Sequence, residues 1–481
     1  MENTLKSTRP IPEAFLSKMA FLLGDEFDEF RASLFQPPSV GLRVNTLKIS
    51  IQEFAQITPY KLSPTSWCSS GFTIEDIKSN PVGISPGKHP YHIAGLFYLQ
   101  EPSAMAVGEI LSPQPGEIIL DLAAAPGGKA THLAALMKNE GLLIANEIHP
   151  RRVWDLAENM ERCGVTNAII TNEPPQHLSE HFVEFFDRVL LDAPCSGEGM
   201  FRKSLVASKE WNPEAPQRCA IRQIGILESA SRMVKPGGCL AYTTCTFSPE
   251  ENEGVIGRFL DNHPEYDLKK IDQKPGFSLS KPEWINLPKD HRINRAVRIW
   301  PYQSSGEGHY IALLVKNGSA EKDRRKKWNR ESSQKNSTQA KGMVTVKKIL
   351  DEFIYQNLDI ALTDRQIFLK GSYVYILPEK SPDVHNIKII HPGWWIGSIQ
   401  KNRFSPSHAL ALAINLHQAK NTCSYQVGDK EISAFLGGES FANQGDDGWV
   451  LITVHGFPIG WGKRVQNVVK NYFPHGLRQR S

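Results

Sequence analysis

Between residues 116 and 263, short apolar runs alternate with amphipathic or glycine-led stretches, and this alternation restricts the fold more than any other feature of the chain. "GEIILDLAAAPGGKATHLAALM" (116–137) reads as strand, glycine turn and helix. "GLLIANE" (141–147) is a second strand, "RRVWDLAENMERCG" (151–164) an amphipathic helix, "NAIIT" (167–171) a third strand and "FDRVLLDAP" (186–194) a fourth. "QIGILESASRMVKPGG" (223–238) is predicted to be a helix that stops at its Pro-Gly-Gly. A fifth strand, "CLAYTTCTF" (239–247), and a helix, "EENEGVIGRFLDNH" (250–263), follow. Helices between short apolar strands cover both faces of a parallel sheet. The expected fold class is α/β, with a Rossmann-like, mostly parallel, doubly wound sheet over residues 95–316.

The flanks have another texture. In 1–94, Phe15, Met19, Leu22 and Leu23 fall at helical spacing, "GLRVNTLKI" (41–49) alternates like a strand, and the Pro-, Ser- and Gly-rich stretch 60–95 is expected to wind over the surface. Apolar residues almost vanish in "NGSAEKDRRKKWNRESSQKNSTQAK" (317–341), so 317–342 is expected to be a polar, basic linker. In 343–481, "GSYVYILP", "HPGWWIGSI" and "GWVLITVHGFPIGWGK" predict short strands with glycine turns in a small β-rich module.

The net charge of +4 is too small to name a partner by itself. Seven cysteines, an odd number with no CxxC, argue against a disulfide framework or a zinc ribbon; a reducing cytoplasm and no metal are expected. The start, "MENTLKSTRPIPEAF", lacks an apolar signal core, and no apolar run approaches the ~20 residues of a membrane span, so no membrane partner is expected.

"DLAAAPGGKATH" follows a strand and opens a helix, so Gly127 and Gly128 let backbone approach a ligand at a helix N-terminus. A glycine pair alone is equally a plain turn. The motif is not GxGxxG, which disfavours a dinucleotide and with it a nicotinamide dehydrogenase. Glu147 ends the second strand, where an acid typically holds ribose hydroxyls. A glycine turn plus that acid suits an adenosine ligand without a pyrophosphate, S-adenosylmethionine, with Asp121 placed to receive its ammonium.

"DAPCSGEG" ends the fourth strand and "TTCTF" the fifth, so Cys195 and Cys245 are expected at one ligand edge. Cysteine near a strand is commonly a small buried hydrophobe, the reading given to Cys163, Cys219, Cys239 and Cys423. Beside a methyl donor, two thiols have work to do. Carbon 5 of a pyrimidine is too weak a nucleophile until a thiolate adds at carbon 6. Asp192 is placed to hydrogen-bond the N3/N4 edge of cytosine and stabilise the developing charge. A second thiol can help when the carbon-5 proton leaves. The target base must be unstacked to enter.

"DAPCSGEGMFRK" with "YTTCTFSPEENE" resembles the paired-cysteine signature of the Nop/Sun family of RNA 5-methylcytosine methyltransferases. "DLAAAPGGK", "FYLQEPSAM" (97–105), "RVNTL" (43–47) and "RIWPYQSSGEGHYIALLVK" (298–316) are similar to other family landmarks, in family order across about residues 10–316. "GWVLITVHGFPIGWGKR" and "KNYFPHGLR" resemble the bacterial branch called ribosomal RNA small-subunit methyltransferase F. The resemblance implies a class I methyltransferase domain (95–316), an N-terminal RNA-binding extension (1–94) and a C-terminal RNA-binding region with a PUA-like module (343–481). It implies Cys245 as nucleophile, Cys195 in product release and Asp192 at both base and cofactor. Ala123, Ala124, Ala125, Pro126, Gly127, Gly128 and Lys129 map to the cofactor loop, Glu147 to the ribose acid and Arg152 to the arginine after it. Where most relatives carry an adenine-binding aspartate, this chain has Pro174, with Asn172 or a backbone group as substitutes.

The activity so implied is methylation of cytosine C5 in 16S ribosomal RNA, with S-adenosylmethionine as cofactor and 16S rRNA or the 30S subunit as partner to a monomer. Transfer RNA is the nearest rival substrate, and a non-catalytic assembly factor the rival of another class. Phosphates call for positive charge and exposed bases for aromatic side chains. The candidates are "MFRK" (200–203), "RINRAVR" (292–298), "DRRKK" (323–327) and a C-terminal set, Trp461, Lys463, Arg464, Lys470 and Tyr472. "HPGWWIG" reads equally as core.

Overall fold

A computed structural model describes residues 11–75, 84–318, 337–360, 362, 366–383 and 385–479. The expected "DRRKK" run lies outside these residues, as does most of the expected linker; a helix, Ser337–Asn357, begins within the linker's last residues. Among the described residues, no helix is long and apolar enough to cross a membrane.

Two helices, Glu13–Leu23 and Phe27–Leu34, lead into a four-stranded antiparallel sheet of β1 (Gly41–Val44), β2 (Leu62–Thr65), β3 (Cys68–Ile74) and β4 (Phe97–Leu99), in the order β2-β3-β1-β4. β1 stops at Val44, short of the alternation seen through residue 49. The Asn45 side chain there leaves the strand pattern and donates to Gly95 O and Cys163 O, both at 2.8 Å.

The central sheet holds β5 (Ile118–Asp121), β6 (Leu142–Asn146), β7 (Ala168–Thr171), β8 (Phe186–Asp192) and β9 (Val234–Thr244), running parallel in the order β7-β6-β5-β8-β9. Their apolar runs are near-continuous because both faces are covered. Leu143, Ala145 and Leu190 point into one core, and Leu142, Ile144, Val189 and Leu191 into the other. The Pro-Gly-Gly does not end a helix: the helix Ala215–Met233 stops before it, and β9 takes in Val234–Thr244. The sheet then extends antiparallel through β10 (Tyr266–Leu268), β11 (Phe277–Leu279), β12 (Val297–Ile299) and β13 (His309–Lys316), with β13 against β9. The expected α/β class is found, with the strand order reversing between β5 and β8; ligands bind at such a reversal, beyond the carboxyl ends of the strands.

The C-terminal region forms two further sheets. One contains β14 (Ile367–Lys370) and β15 (Tyr373–Ile376). Its chain then leaves to place β16 (Ile389–His391) antiparallel on β7, as the last strand of the central sheet, and returns as β17 (Trp394–Gln400) and β18 (Arg403–Pro406). The last sheet comprises β19 (Thr422–Tyr425), β20 (Phe441–Ala442), β21 (Gly448–Val454), β22 (Phe457–Val465) and β23 (Val468–Asn471). It shares a core with the first: Leu42, Val44 and Phe97 cluster with Phe435, Val450 and Ile459.

Candidate active site

β5 delivers Asp121 to the ligand edge, and the turn after it runs from Ala123 to Lys129. Gly127 caps the helix Gly128–Leu136 at φ 112°, a left-handed conformation that favours glycine. The turn is held from several sides. Ala124 N donates to Asn146 O at 2.7 Å, Arg152 Nη2 to Ala125 O at 2.6 Å and Asn159 Nδ2 to Pro126 O at 2.9 Å. Arg43, buried in β1, donates to Gly128 O and Thr131 Oγ1 at 3.1 and 2.9 Å, tying the N-terminal sheet to the turn.

Asp121 is fully buried, and neither carboxylate oxygen has a hydrogen-bond partner. Burial first, and Asp192 second, push it up to about 8; Lys129 and the Ala123 amide oppose this without meeting hydrogen-bond geometry. Two orphaned acceptors at a sheet reversal call for a cationic or hydrogen-bond-donating ligand group. Glu147, 3% exposed, follows β6; its Oε1 accepts from His149 N at 2.8 Å and its Oε2 lies 3.5 Å from Arg152 Nη1. Asn172, offered as a substitute for the missing aspartate, is committed elsewhere. Its amide nitrogen donates to Glu147 O and Ile148 O, and its oxygen accepts from Lys388. Pro174 sits at the N-cap of the helix Pro175–His181.

β8 and β9 are parallel neighbours with Asp192 opposite Thr243. The turns beyond them bring Cys195 Sγ to 3.3 Å from Cys245 Sγ, both half-buried. Lys129 Nζ donates to Asp192 Oδ2 at 2.7 Å. Burial works against the Lys129 charge, but Asp192, with smaller help from Cys245 and Asp121, more than offsets it and raises the pKa. The Cys195 thiol is pushed up, by its hydrogen bond with Cys245 first and burial second. Either sulfur can be the donor in the contact between them.

Sequence reasoning missed the residues that hold the two thiol turns together. Glu251, fully buried, accepts from Ser196 N (2.8 Å), Ser196 Oγ (2.5 Å) and Gln223 Nε2 (3.0 Å). Glu198, also buried, accepts from Phe247 N (3.0 Å), Ser248 Oγ (2.7 Å) and Trp211 Nε1 (3.1 Å). Thr246 Oγ1 stands between them, 2.9 Å from Glu198 and 3.0 Å from Glu251. One hydroxyl proton cannot serve both acids, and burial pushes Glu251 up to about 7, so Glu251 carries the second proton below that pH. His309, at the start of β13, was also missed. Ser103 Oγ donates to Glu101 and so accepts from His309 Nδ1 at 2.9 Å, leaving the buried Nε2 as an unpartnered acceptor. The signal available was the "GEGHY" and "EPSAM" landmarks themselves, each of which puts one of these polar groups beside a strand end.

Several charged or aromatic candidates for the RNA surface are structural. Arg202 is buried against Glu307, and Arg298 is buried against Glu253, with Arg298 Nε donating at 2.8 Å. Arg292 and Arg295 pair with Asp267. Trp461, 2% exposed, donates to Ser407 O, and Arg464 bonds Asn443 and Asp446 O. Trp394 is core. Lys463, opposite Lys470 on β22 and β23, lies 5.5 Å from the Trp449 ring, which also meets the half-exposed Tyr472. In a group with metal-ligand side chains, Cys68, Glu109 and His132, the thiol and His132 Nε2 share Glu109 Oε1 at 3.3 and 3.2 Å, while the buried His132 Nδ1 has no partner.

Residues 11–102 match a model of the N-terminal domain of 16S rRNA methyltransferase RsmF, and 108–315 one of 16S rRNA methyltransferase RsmB/F. Residues 352–414 match the RsmF rRNA methyltransferase first C-terminal domain, and 424–479 the methyltransferase RsmF PUA domain. The ribosomal RNA small subunit methyltransferase F of Vibrio vulnificus is 34% identical over 97% of each chain, and that of Aliivibrio fischeri 32% over the same shares. A crystal structure of a methyltransferase homologue from Pyrococcus horikoshii, 32% identical, superposes with TM-score 0.56 over 64% of this chain and 96% of that one. That of NSun6 from the same organism with SFG, 22% identical, gives 0.55 over 64% and 99% and shares the fold. The β5 turn, the paired thiols and the C-terminal modules all fall within these matches, and the chain belongs to the ribosomal RNA small-subunit methyltransferase F branch of the Nop/Sun methyltransferases.

Proposed function

We propose that the protein methylates C5 of a cytosine in 16S ribosomal RNA, with S-adenosylmethionine as donor and Cys245 as covalent nucleophile. The observation that carries this is the 3.3 Å approach of Cys195 and Cys245 at the ends of adjacent parallel strands, beside Lys129, Asp192 and the orphaned Asp121.

The residues fit the donor. Asp121 offers two unpartnered oxygens to its ammonium, the Ala123–Lys129 turn a close backbone wall, and Glu147 a carboxylate at the ribose position. When bound, S-adenosylmethionine supplies an electrophilic methyl group. Cys245, the cysteine that the family resemblance marks as nucleophile, attacks near the Lys129 ammonium. Its thiolate forms an S–C6 bond, and the displaced ring electrons are stabilised where Asp192 and Lys129 meet the N3 edge. C5, now enamine-like, takes the methyl. Solvent water takes the C5 proton, the C5–H electron pair returns to the ring, the S–C6 bond breaks, and Cys245 leaves as thiolate. Cys195 hydrogen-bonds that departing thiolate and so favours release.

Lys463, Lys470, Trp449 and Tyr472 form the C-terminal patch that meets RNA, cations for phosphate and rings for bases. Bisulfite sequencing of ribosomal RNA from a strain lacking the protein is expected to show loss of a 5-methylcytosine from 16S rRNA, restored by the wild-type gene and not by Cys245→Ala. Retention of every 5-methylcytosine in 16S rRNA contradicts the reading.

A further inference from the structure

We infer that Lys388, supplied by the C-terminal region, is a positioning residue for the cofactor site, setting the loop that carries the ribose acid Glu147. The inference rests on the adenosine reading of that site.

Strand β16 is a detour. The chain leaves the sheet of β15, pairs Ile389 with Thr171 and His391 with Ile170, and then returns to that sheet. The detour is anchored on both faces of the central sheet: Ile387 and Ile389 pack in one core, Ile390 in the other. His391 lies 3.4 Å from Glu161 and its ring meets Trp154 on the helix Arg152–Arg162. These apolar and ring contacts are enough to dock a strand.

The polar contacts just before β16 do something more directed. Asn172 N donates to Lys388 O at 2.9 Å, and Lys388 N donates to Glu173 Oε1 at 2.6 Å. Lys388 Nζ does not take the nearby carboxylate; it donates to Asn172 Oδ1 at 2.6 Å. That fixes which end of the Asn172 amide is oxygen, because an ammonium can only donate. The amide nitrogen is thereby turned inward, where it donates to Glu147 O at 2.7 Å and Ile148 O at 3.0 Å. Flipped, the amide would set its oxygen against two backbone carbonyls and its nitrogen against an ammonium. One side chain from the C-terminal region thus selects the amide orientation that pins the backbone of the ribose acid. Pro174, where the family resemblance implies an adenine-binding aspartate, has no side-chain donor or acceptor.

The test uses the full chain. S-adenosylhomocysteine is titrated calorimetrically into wild type, Lys388→Met, Lys388→Arg, Asn172→Ala and the Lys388→Met/Asn172→Ala double variant, with melting curves confirming folding. Each single loss and the double are expected to weaken binding by the same factor, about three- to tenfold, because the two side chains act as one unit. Lys388→Arg restores most of the affinity. In methylation assays KM for S-adenosylmethionine rises by that factor while kcat at saturating donor stays within about twofold. Wild-type affinity in Lys388→Met, or effects of the two singles that simply add, overturns the inference. Failure of the wild-type chain to bind S-adenosylhomocysteine overturns the cofactor reading along with it.

Discussion

At the β8–β9 half of the ligand edge the buried carboxylates have several partners each: Glu198 and Glu251 collect backbone amides, hydroxyls, an indole and an amide side chain. At the β5 half, Asp121 is as deeply buried and has none. The difference separates two ways of preparing a site. The thiol half is rigid beforehand, because positions of reacting atoms matter to within fractions of an ångström. On the proposed function, the cofactor half keeps a destabilised group whose cost is recovered when a cation arrives.

Breaking the rigid half has the larger effect. Glu251→Ala is expected to leave Ser196 and Gln223 without their shared acceptor and Thr246 with Glu198 as its one remaining acid partner, lowering stability by about 3 kcal/mol. As the thiols lose register, kcat falls about 100-fold. S-adenosylhomocysteine affinity stays within about twofold. An equal loss of cofactor affinity would show that the halves are not separate.

Asp121→Asn acts on the other half and in the opposite direction on stability. Cofactor affinity is expected to fall about 30-fold as a charge-assisted contact is lost, while the protein without cofactor becomes more stable by about 1–3 kcal/mol. The sign follows from linkage. A carboxyl raised from 3.8 to about 8 gives stability that is whole below the lower value and gone above the higher, so the variant's advantage in thermal melts is greatest above pH 8. Equal melting temperatures at pH 6 and pH 8.5 would contradict it. The same group makes cofactor capture proton-linked: between pH 6 and 7.5 the wild type must release the Asp121 proton to bind an ammonium. Affinity is expected to rise with pH by up to about tenfold per unit, and Asp121→Asn to flatten the slope, in titrations across that range.

Much of this contrast was legible in the sequence, and some could not be. The five parallel strands followed from apolar runs of two-sided burial, and Cys195 and Cys245 came to one edge because each ended such a run. "SPEENE" reads as part of the family signature and the start of a helix, and nothing local shows that Glu251 meets Ser196 across 55 residues. Arg202 and Arg298 looked like RNA contacts for the same reason: their partners, Glu307 and Glu253, are distant in sequence, and a charge run does not show which members are buried. β16 was hidden because the edge strand of a central sheet comes from a segment more than 200 residues after β7, through pairing that leaves no periodic signature.

The smallest expected effect lies outside both halves. Lys470→Ala is expected to weaken RNA binding about two- to fivefold and reduce the salt slope by about one, measured by filter binding across salt concentrations, with cofactor affinity unchanged.

The central claim, that two neighbouring thiols divide attack and release, is tested most directly by trapping on RNA carrying 5-fluorocytosine at the target. Fluorine at C5 cannot leave as the proton does, so an attacking sulfur stays bonded to C6. Wild type and Cys195→Ala are predicted to give a denaturation-resistant protein–RNA adduct, and Cys195→Ala to give one on ordinary RNA as well; Cys245→Ala gives none. An adduct that persists in Cys245→Ala and vanishes in Cys195→Ala would reverse the assignment and contradict the account.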